Sequence, residues 1–197
     1  AAKIVSAIRA LNADIVGLME LENDGFESTS AIAELVRRIN ETAGDEYAFI
    51  NPGLSQVGGD AITVGIIYKP AKGTRAGAAA TLATEPFDYY NRQPIAQTFV
   101  HTVSGEKLTV VVNHFKSKGC GTDATDTNAD LGDGQGCWNT KRTEAATALA
   151  TWLATDPTAS GVQRHLIMGD LNAYAKEDPI QALQQNGYTN LIAQFIG

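Results

Sequence analysis

Three polar clusters in the sequence each follow directly on a short apolar run, and their residue types suit metal binding, proton transfer and the holding of an anion. The first is Glu20, at the end of Asp14-Ile15-Val16-Gly17-Leu18-Met19-Glu20. A carboxylate at a strand terminus can hold a hard divalent cation such as Mg²⁺, which prefers oxygen ligands and keeps several waters. A solvated loop acid would read the same way, and Glu22 is an alternative two residues on. The second cluster is Asn113-His114, after Val110-Val111-Val112 and followed by Lys116 and Lys118. Histidine is the usual residue for proton transfer near neutral pH, although a histidine after a strand is often a hydrogen-bonded structural residue. The two lysines favour an anionic substrate. The third cluster, Gly169-Asp170-Leu171-Asn172-Ala173, follows Leu166-Ile167-Met168 and is the most specific of the three. Two polar residues at i and i+2 on extended backbone point to one side. There Asp170 can polarise a water and Asn172 can hydrogen-bond a phosphoryl oxygen.

The elements that must position these residues are legible as alternating strands and helices. Ile4, Ile8 and Leu11 recur at helical spacing and predict a helix over 1–12, followed by a buried strand through Glu20. Ser28, Thr29 and Ser30 offer N-caps to a helix whose inner face is Ile32, Leu35, Val36 and Ile39. Segments 47–50 and 61–68 read as strands, and 94–103 with 107–115 as a hairpin around Ser104-Gly105-Glu106. A long loop through Trp138 leads to a helix over 139–154, a short strand over 165–169, and a helix opened by Asp178-Pro179 and closed by Gly187. Residues 76–80 are only an alanine-rich tract in this reading. One antiparallel hairpin within an otherwise alternating pattern makes a mixed α/β domain.

A chain of 197 residues, 44% hydrophobic and 19% charged, fits one globular domain over 1–197. The net charge of −7 leans against a tight DNA-coating protein, since phosphate neutralisation supplies most non-specific affinity, and is neutral about a hydrolase. No apolar run approaches the ~20 residues needed to span a bilayer. Cys120 and Cys137 flank a polar loop that offers a free thiol no core, which favours a disulfide over two reduced thiols. Asp123, Asp126, Asn128, Asp130 and Asp133 crowd oxygen ligands into that loop, so Ca²⁺ is a candidate there beside a plain solvated acidic loop. The EF-hand spacing fails, because the twelfth position from Asp126 is Cys137.

Taken together, Asp14-Ile15-Val16 through Glu20, Asn113-His114-Phe115 and Gly169-Asp170-Leu171-Asn172-Ala173 resemble the signature segments of the endonuclease/exonuclease/phosphatase superfamily, in that family's chain order. The secreted bacterial nucleases of the group are the most similar. They share Met19-Glu20-Leu21-Glu22-Asn23, Gly59-Asp60-Ala61-Ile62, Asn113 through Gly119, and the cysteine-bounded loop into Trp138-Asn139-Thr140-Lys141-Arg142. The resemblance implies a four-layer deoxyribonuclease-like α/β sandwich, with two packed mixed sheets flanked by helices. It makes Glu20 the metal-binding acid, joined by Asp170, and His114, Asp170 and Asn172 the catalytic set. Arg92 matches an arginine that contacts the substrate phosphate, with Asn113 and Lys116 beside it, and Asp60 is a candidate to orient His114.

On the same resemblance the expected cofactor is Mg²⁺ or Mn²⁺, and the expected partner is nucleic acid, with DNA preferred. A secreted monomer that engages no membrane is expected. The family opens with an Asn-bearing strand and closes near an Asp-His pair. His101 and His165 fit neither role, so the chain is expected to lack both segments and to be inactive alone. The rival readings are a phosphatase or sphingomyelinase of the same superfamily and a non-catalytic scaffold.

Overall fold

The computed structural model describes residues 2–43 and 46–196; of the helix expected over 1–12, Ala1 lies outside them. Helix α1 (Ala2–Leu11) buries Val5 and Ile8, and leads into strand β1 (Ile15–Glu22). Helix α2 (Ala31–Ala43) begins where the Asp24 carboxylate accepts the Ala31 amide and Ser30 Oγ accepts the Ala33 amide. Its buried face is Ile32, Val36 and Ile39, with Leu35 packed beside them, as the 3.6-residue period predicts. Strands β2 (Ala48–Phe49) and β3 (Ile62–Tyr68) follow. Both β1 and β2 pair antiparallel with β3, giving a three-stranded sheet in the order β1-β3-β2.

The second sheet has the order β4-β5-β6-β7, from β4 (Gly73–Thr81), β5 (Arg92–His101), β6 (Lys107–His114) and β7 (His165–Asp170). Its first three strands are antiparallel neighbours, and β6 and β7 run parallel. Only this sheet is mixed; the smaller one is antiparallel throughout. The parallel pair demands a crossover, supplied by the cysteine-bounded loop and helix α3 (Asn139–Leu153). Helices α4 (Asp178–Gln185) and α5 (Leu191–Phe195) follow β7.

The run Val110-Val111-Val112 is apolar on consecutive positions because both faces of β6 are covered. Val110 and Val112 join Ile95, Phe99, Ile66, Val16 and α2 in the core between the sheets. Val111 and Ala96 face the other way, onto Ala145, Ala146, Leu149 and Leu153 of α3. Layers of helix, sheet, sheet and helix result. The sheets meet closely at Gly17: a methyl group there would stand 2.9 Å from Val112 Cγ2 and 3.3 Å from Met168 Sδ.

Two expectations are corrected. The alanine-rich tract is part of β4, an edge strand with a bulge between Ala76 and Ala80. Alanine and glycine carry little β propensity, so its pairing with β5 is not written in its own residues. Asp178 does not cap α4: Glu177 holds the cap position without a side-chain bond, and the Asp178 carboxylate accepts from Asn139 and Gln135 instead. The Cys120–Cys137 disulfide is present, with Cα atoms 5.3 Å apart.

Candidate active site

Sheet register assembles the site. Arg92, the first residue of β5, pairs across the ladder with His114, the last residue of β6. His114 pairs in turn with Asp170, the last residue of β7. Three chemically able side chains from positions far apart in sequence therefore lie in one row at one sheet edge. The other sheet adds a fourth. Gly17 of β1 lies over Val112 and Met168, each two residues before the row, and Glu20 follows three residues later. The β1–β3 pairing breaks between Leu18 and Leu21, and Glu20 has φ +58°. A bulge of this kind re-aims a side chain at the cost of a ladder bond. The Glu20 carboxylate is close enough for its field to act on His114.

His114 is nearly enclosed, and Asp170 is about half exposed, its Oδ2 lying 3.9 Å from His114 Nε2. Burial pushes the His114 pKa below its ordinary value, and the Arg92 charge pushes the same way. Asp170, Glu20 and Asp60 oppose them. The ring is neutral at pH 7, and its Nδ1 is buried without a hydrogen-bond partner. Asp60 does not touch the ring directly. It forms an ion pair with Arg92, Oδ2 to Nε 2.8 Å, at an angle that does not make a hydrogen bond.

The remaining predicted residues divide. Asn172 does not sit on extended backbone: it follows β7 with φ +46°, and its amide N–H donates to Asp170 Oδ1 at 2.8 Å. Its Nδ2 donates to Phe115 O at 3.0 Å, so a tight turn places Asn172 beside Asp170 where alternation was expected to do so. Asn113 is fully buried and braces β6 to β7, Nδ2 donating to Val111 O and Met168 O, while its Oδ1 has no hydrogen-bond partner. Lys116 places Nζ 5.0 Å from the Trp138 ring centroid, and its backbone amide donates to Asn91 Oδ1. Lys118 is held in an ion pair with Glu177. Glu22 pairs with Ile62 across the β1–β3 ladder. His101 bonds Ser104, and His165 lies at the start of β7, near Tyr188.

The acidic residues of the cysteine loop do not gather. Asp130 Oδ1 accepts from Gly132 N and Asp133 Oδ1 from Gln135 N, so these carboxylates close their own turns. Among the described residues no group of three or more His, Cys, Asp or Glu forms a metal cage, in this loop or elsewhere. A magnesium-type ion needs less, because it is commonly held by one or two carboxylates with waters completing its shell. Glu20 and Asp170 meet that lesser requirement. Both are exposed carboxylates whose charges act on His114. The donor set fits a hard cation.

No family model matches the sequence, and no curated protein matches it either. Solved structures do. The catalytic domain of human Nocturnin, with bound sulfate, superposes with TM-score 0.60 at 16% identity, over 90% of this chain and 58% of that one. An endonuclease/exonuclease/phosphatase family protein from Bacteroides thetaiotaomicron gives TM-score 0.61 at 14% identity, over 93% and 57%. TDP2 from D. rerio, complexed with a single-strand DNA product, gives 0.54 at 14% identity, over 93% and 56%. The chain thus has the fold of endonuclease/exonuclease/phosphatase proteins, and spans less than three fifths of the length of these three.

Proposed function

We propose that the chain is the core of a divalent-metal-dependent phosphodiesterase that hydrolyses nucleic acid, DNA foremost, and works outside the cell as a monomer. The observation that carries this reading is the row Arg92–His114–Asp170, in register across three strands and faced by Glu20. Rigid strand ends hold such groups better than loops do. The disulfide supports an oxidising compartment. No helix among the described residues is long and apolar enough to cross a membrane. The single-strand DNA product held by the D. rerio neighbour supports the substrate class.

Glu20 and Asp170 would hold the cation, which when bound supplies positive charge against the charge that develops on a phosphoryl group. Arg92 and Lys116 draw the phosphate to the sheet edge. Neutral His114 hydrogen-bonds a phosphoryl oxygen without adding charge. The 3.9 Å gap between Asp170 Oδ2 and His114 Nε2 leaves room to orient a water. Asn172 stiffens the Asp170 carboxylate through its backbone amide.

The test is hydrolysis of plasmid DNA, RNA, bis(p-nitrophenyl) phosphate, phosphomonoesters and sphingomyelin by the longest product of the gene, with and without chelator. Diester and DNA cleavage that stops on chelation supports the proposal. Cleavage of phosphomonoesters or sphingomyelin alone moves the assignment to the rival substrates. Full activity in chelator removes the metal, and no activity on any phosphoester leaves a scaffold.

A further inference from the structure

Beside the catalytic row the surface carries an aromatic stack that the hydrolytic reading does not use. Tyr90 precedes Asn91-Arg92, so its Cα lies within about 7 Å of Arg92 Cα by chain geometry alone. Its ring packs on Trp138 with centroids 4.9 Å apart, and Tyr89 meets Tyr90 edge-to-face at 5.0 Å. Trp138 is 1% exposed, whereas Tyr89 is 81% exposed.

The floor of this stack is fixed from several sides. Trp138 Nε1 donates to Gly119 O at 3.1 Å, its backbone amide donates to Asn128 O, and the neighbouring Cys137 is tied to Cys120. Asn91 joins stack to site. Its Nδ2 donates to Pro86 O, and its Oδ1 accepts the Lys116 amide two residues beyond His114. Two ammonium groups border the rings: Lys116 Nζ is 5.0 Å from Trp138 and Lys141 Nζ 5.6 Å from Tyr90. Lys141 is neutralised by Glu85 and Glu144, whereas Lys116 has no carboxylate partner among the described residues. Of the two ammonium groups, the one without a carboxylate partner thus belongs to the residue two positions after His114.

A single exposed tyrosine is ordinary. A tyrosine pair seated on a pinned tryptophan, bordered by an unpaired lysine and two residues from an arginine at a phosphate site, is built for a flat, anionic chain. Every nucleobase has a π-face and can stack on an aromatic ring, provided it is not already paired in a duplex. We infer that the Tyr89–Tyr90 face stacks an unpaired base of a single-stranded nucleic acid, beside the phosphate drawn to Arg92 and His114. The inference rests on the nucleic-acid reading above and adds to it a preference for unpaired over duplex substrate, with little preference among bases.

The experiment measures binding of the full chain to a fluorescent oligodeoxythymidylate, to an abasic strand of equal length, and to a duplex, by anisotropy in chelator so that nothing is cut. The thymidylate strand should bind more tightly than the other two. Tyr89→Ala should weaken thymidylate binding by about tenfold, the scale of one lost base stack. The abasic strand should bind Tyr89→Ala as it binds the wild type, and Tyr89→Phe should retain the wild-type pattern. Because Tyr89 is so exposed, circular dichroism should be unchanged in both variants. Equal loss on thymidylate and abasic strands, or no loss on either, overturns the stacking role and leaves the nucleic-acid reading standing. A wild type that binds none of the three strands overturns both.

Discussion

Gly169 is the position where the structure makes the sharpest demand on the sequence. It has φ +121°, a backbone region that side chains with a Cβ rarely adopt, and it pairs with Asn113 across the parallel β6–β7 ladder. A Cβ built there would lie 2.1 Å from Asn113 O and 2.8 Å from Asn113 N. These are backbone atoms of a central strand and cannot rotate away. Gly169→Ala must therefore push β7 from β6 by roughly 1 Å to restore van der Waals separation, or leave the residue in a clash. The backbone strain costs about 1–3 kcal/mol. Overpacking costs about 1–3 kcal/mol more. For a domain of this size the sum corresponds to a fall in Tm of roughly 5–20 °C. The same displacement moves Asp170 relative to His114, and a shift of about 1 Å at a reacting centre can cost about a hundredfold in rate. Thermal unfolding by circular dichroism measures the first effect. Hydrolysis of bis(p-nitrophenyl) phosphate by the longest gene product, at a temperature where both forms are folded, measures the second. A Tm within about 2 °C of wild type would refute the packing argument. A large fall in Tm with undiminished turnover would refute the link from Gly169 to Asp170.

Reduction of Cys120–Cys137, or Cys120→Ser with Cys137→Ser, should lower stability by roughly 3 kcal/mol for a loop of this length in the chain-entropy model, read as a lower Tm. Mass measurement before and after reductant should differ by two hydrogen atoms, the two protons and two electrons that the reductant supplies. Arg142 is fully buried and donates to Lys116 O, Cys137 O and Gln135 O, so Arg142→Met should cost about 3–5 kcal/mol by leaving those carbonyls unmet, and a Tm near wild type would contradict it. Burial holds the pKa values of His114 and His165 below the ordinary histidine value, so the unfolded chain takes up protons first. Stability should be full above about pH 6.5 and decline as pH falls through the folded values, and His165→Gln should make that decline shallower. In the longest gene product, Asp170→Ala and His114→Gln should each reduce turnover by about 10²–10⁴-fold with little change in unfolding temperature.

What the sequence disclosed was whatever its own residues determine locally. The apolar runs before Glu20, His114 and Asp170 are strands because alternating or doubly covered hydrophobic positions cannot be satisfied otherwise, and α2 shows its buried face at helical spacing. What it concealed was set by neighbours. Strand β4 exists because β5 offers it a ladder, and no pattern in Gly73–Thr81 announces this. Lys118 reads as one of two lysines favouring an anionic substrate and Arg142 enters only within a shared segment, yet Glu177 claims one and three backbone carbonyls claim the other. Asp60 could be placed near His114 by resemblance, but its ion pair with Arg92 joins the turn before β3 to the first residue of β5, a contact no local pattern announces. The turn at Asn172 replaces the extended geometry expected there because its amide closes onto the Asp170 carboxylate, a short-range bond that side-chain alternation does not describe.

The direction of one strand decides whether the site exists. With β6 and β7 parallel, the residues that follow their apolar runs emerge at the same edge, and Thr109–His114 aligns with His165–Asp170 end for end. Antiparallel pairing of the same two segments would set Asp170 against Thr109, five residues from His114, or about 17 Å away along a strand. The antiparallel neighbour β5 meets the row with its first residue, Arg92, for the same reason: its start lies where β6 ends. Parallel pairing obliges the chain to return across the sheet, and in doing so it passes through Lys116, the disulfide, Trp138 and α3. The loop that follows β6 is thus a topological consequence of the Arg92–His114–Asp170 row itself. Cutting the Cys120–Cys137 tie should therefore disturb strand binding near Trp138 before it disturbs the Arg92–His114–Asp170 register, which the ladder holds independently.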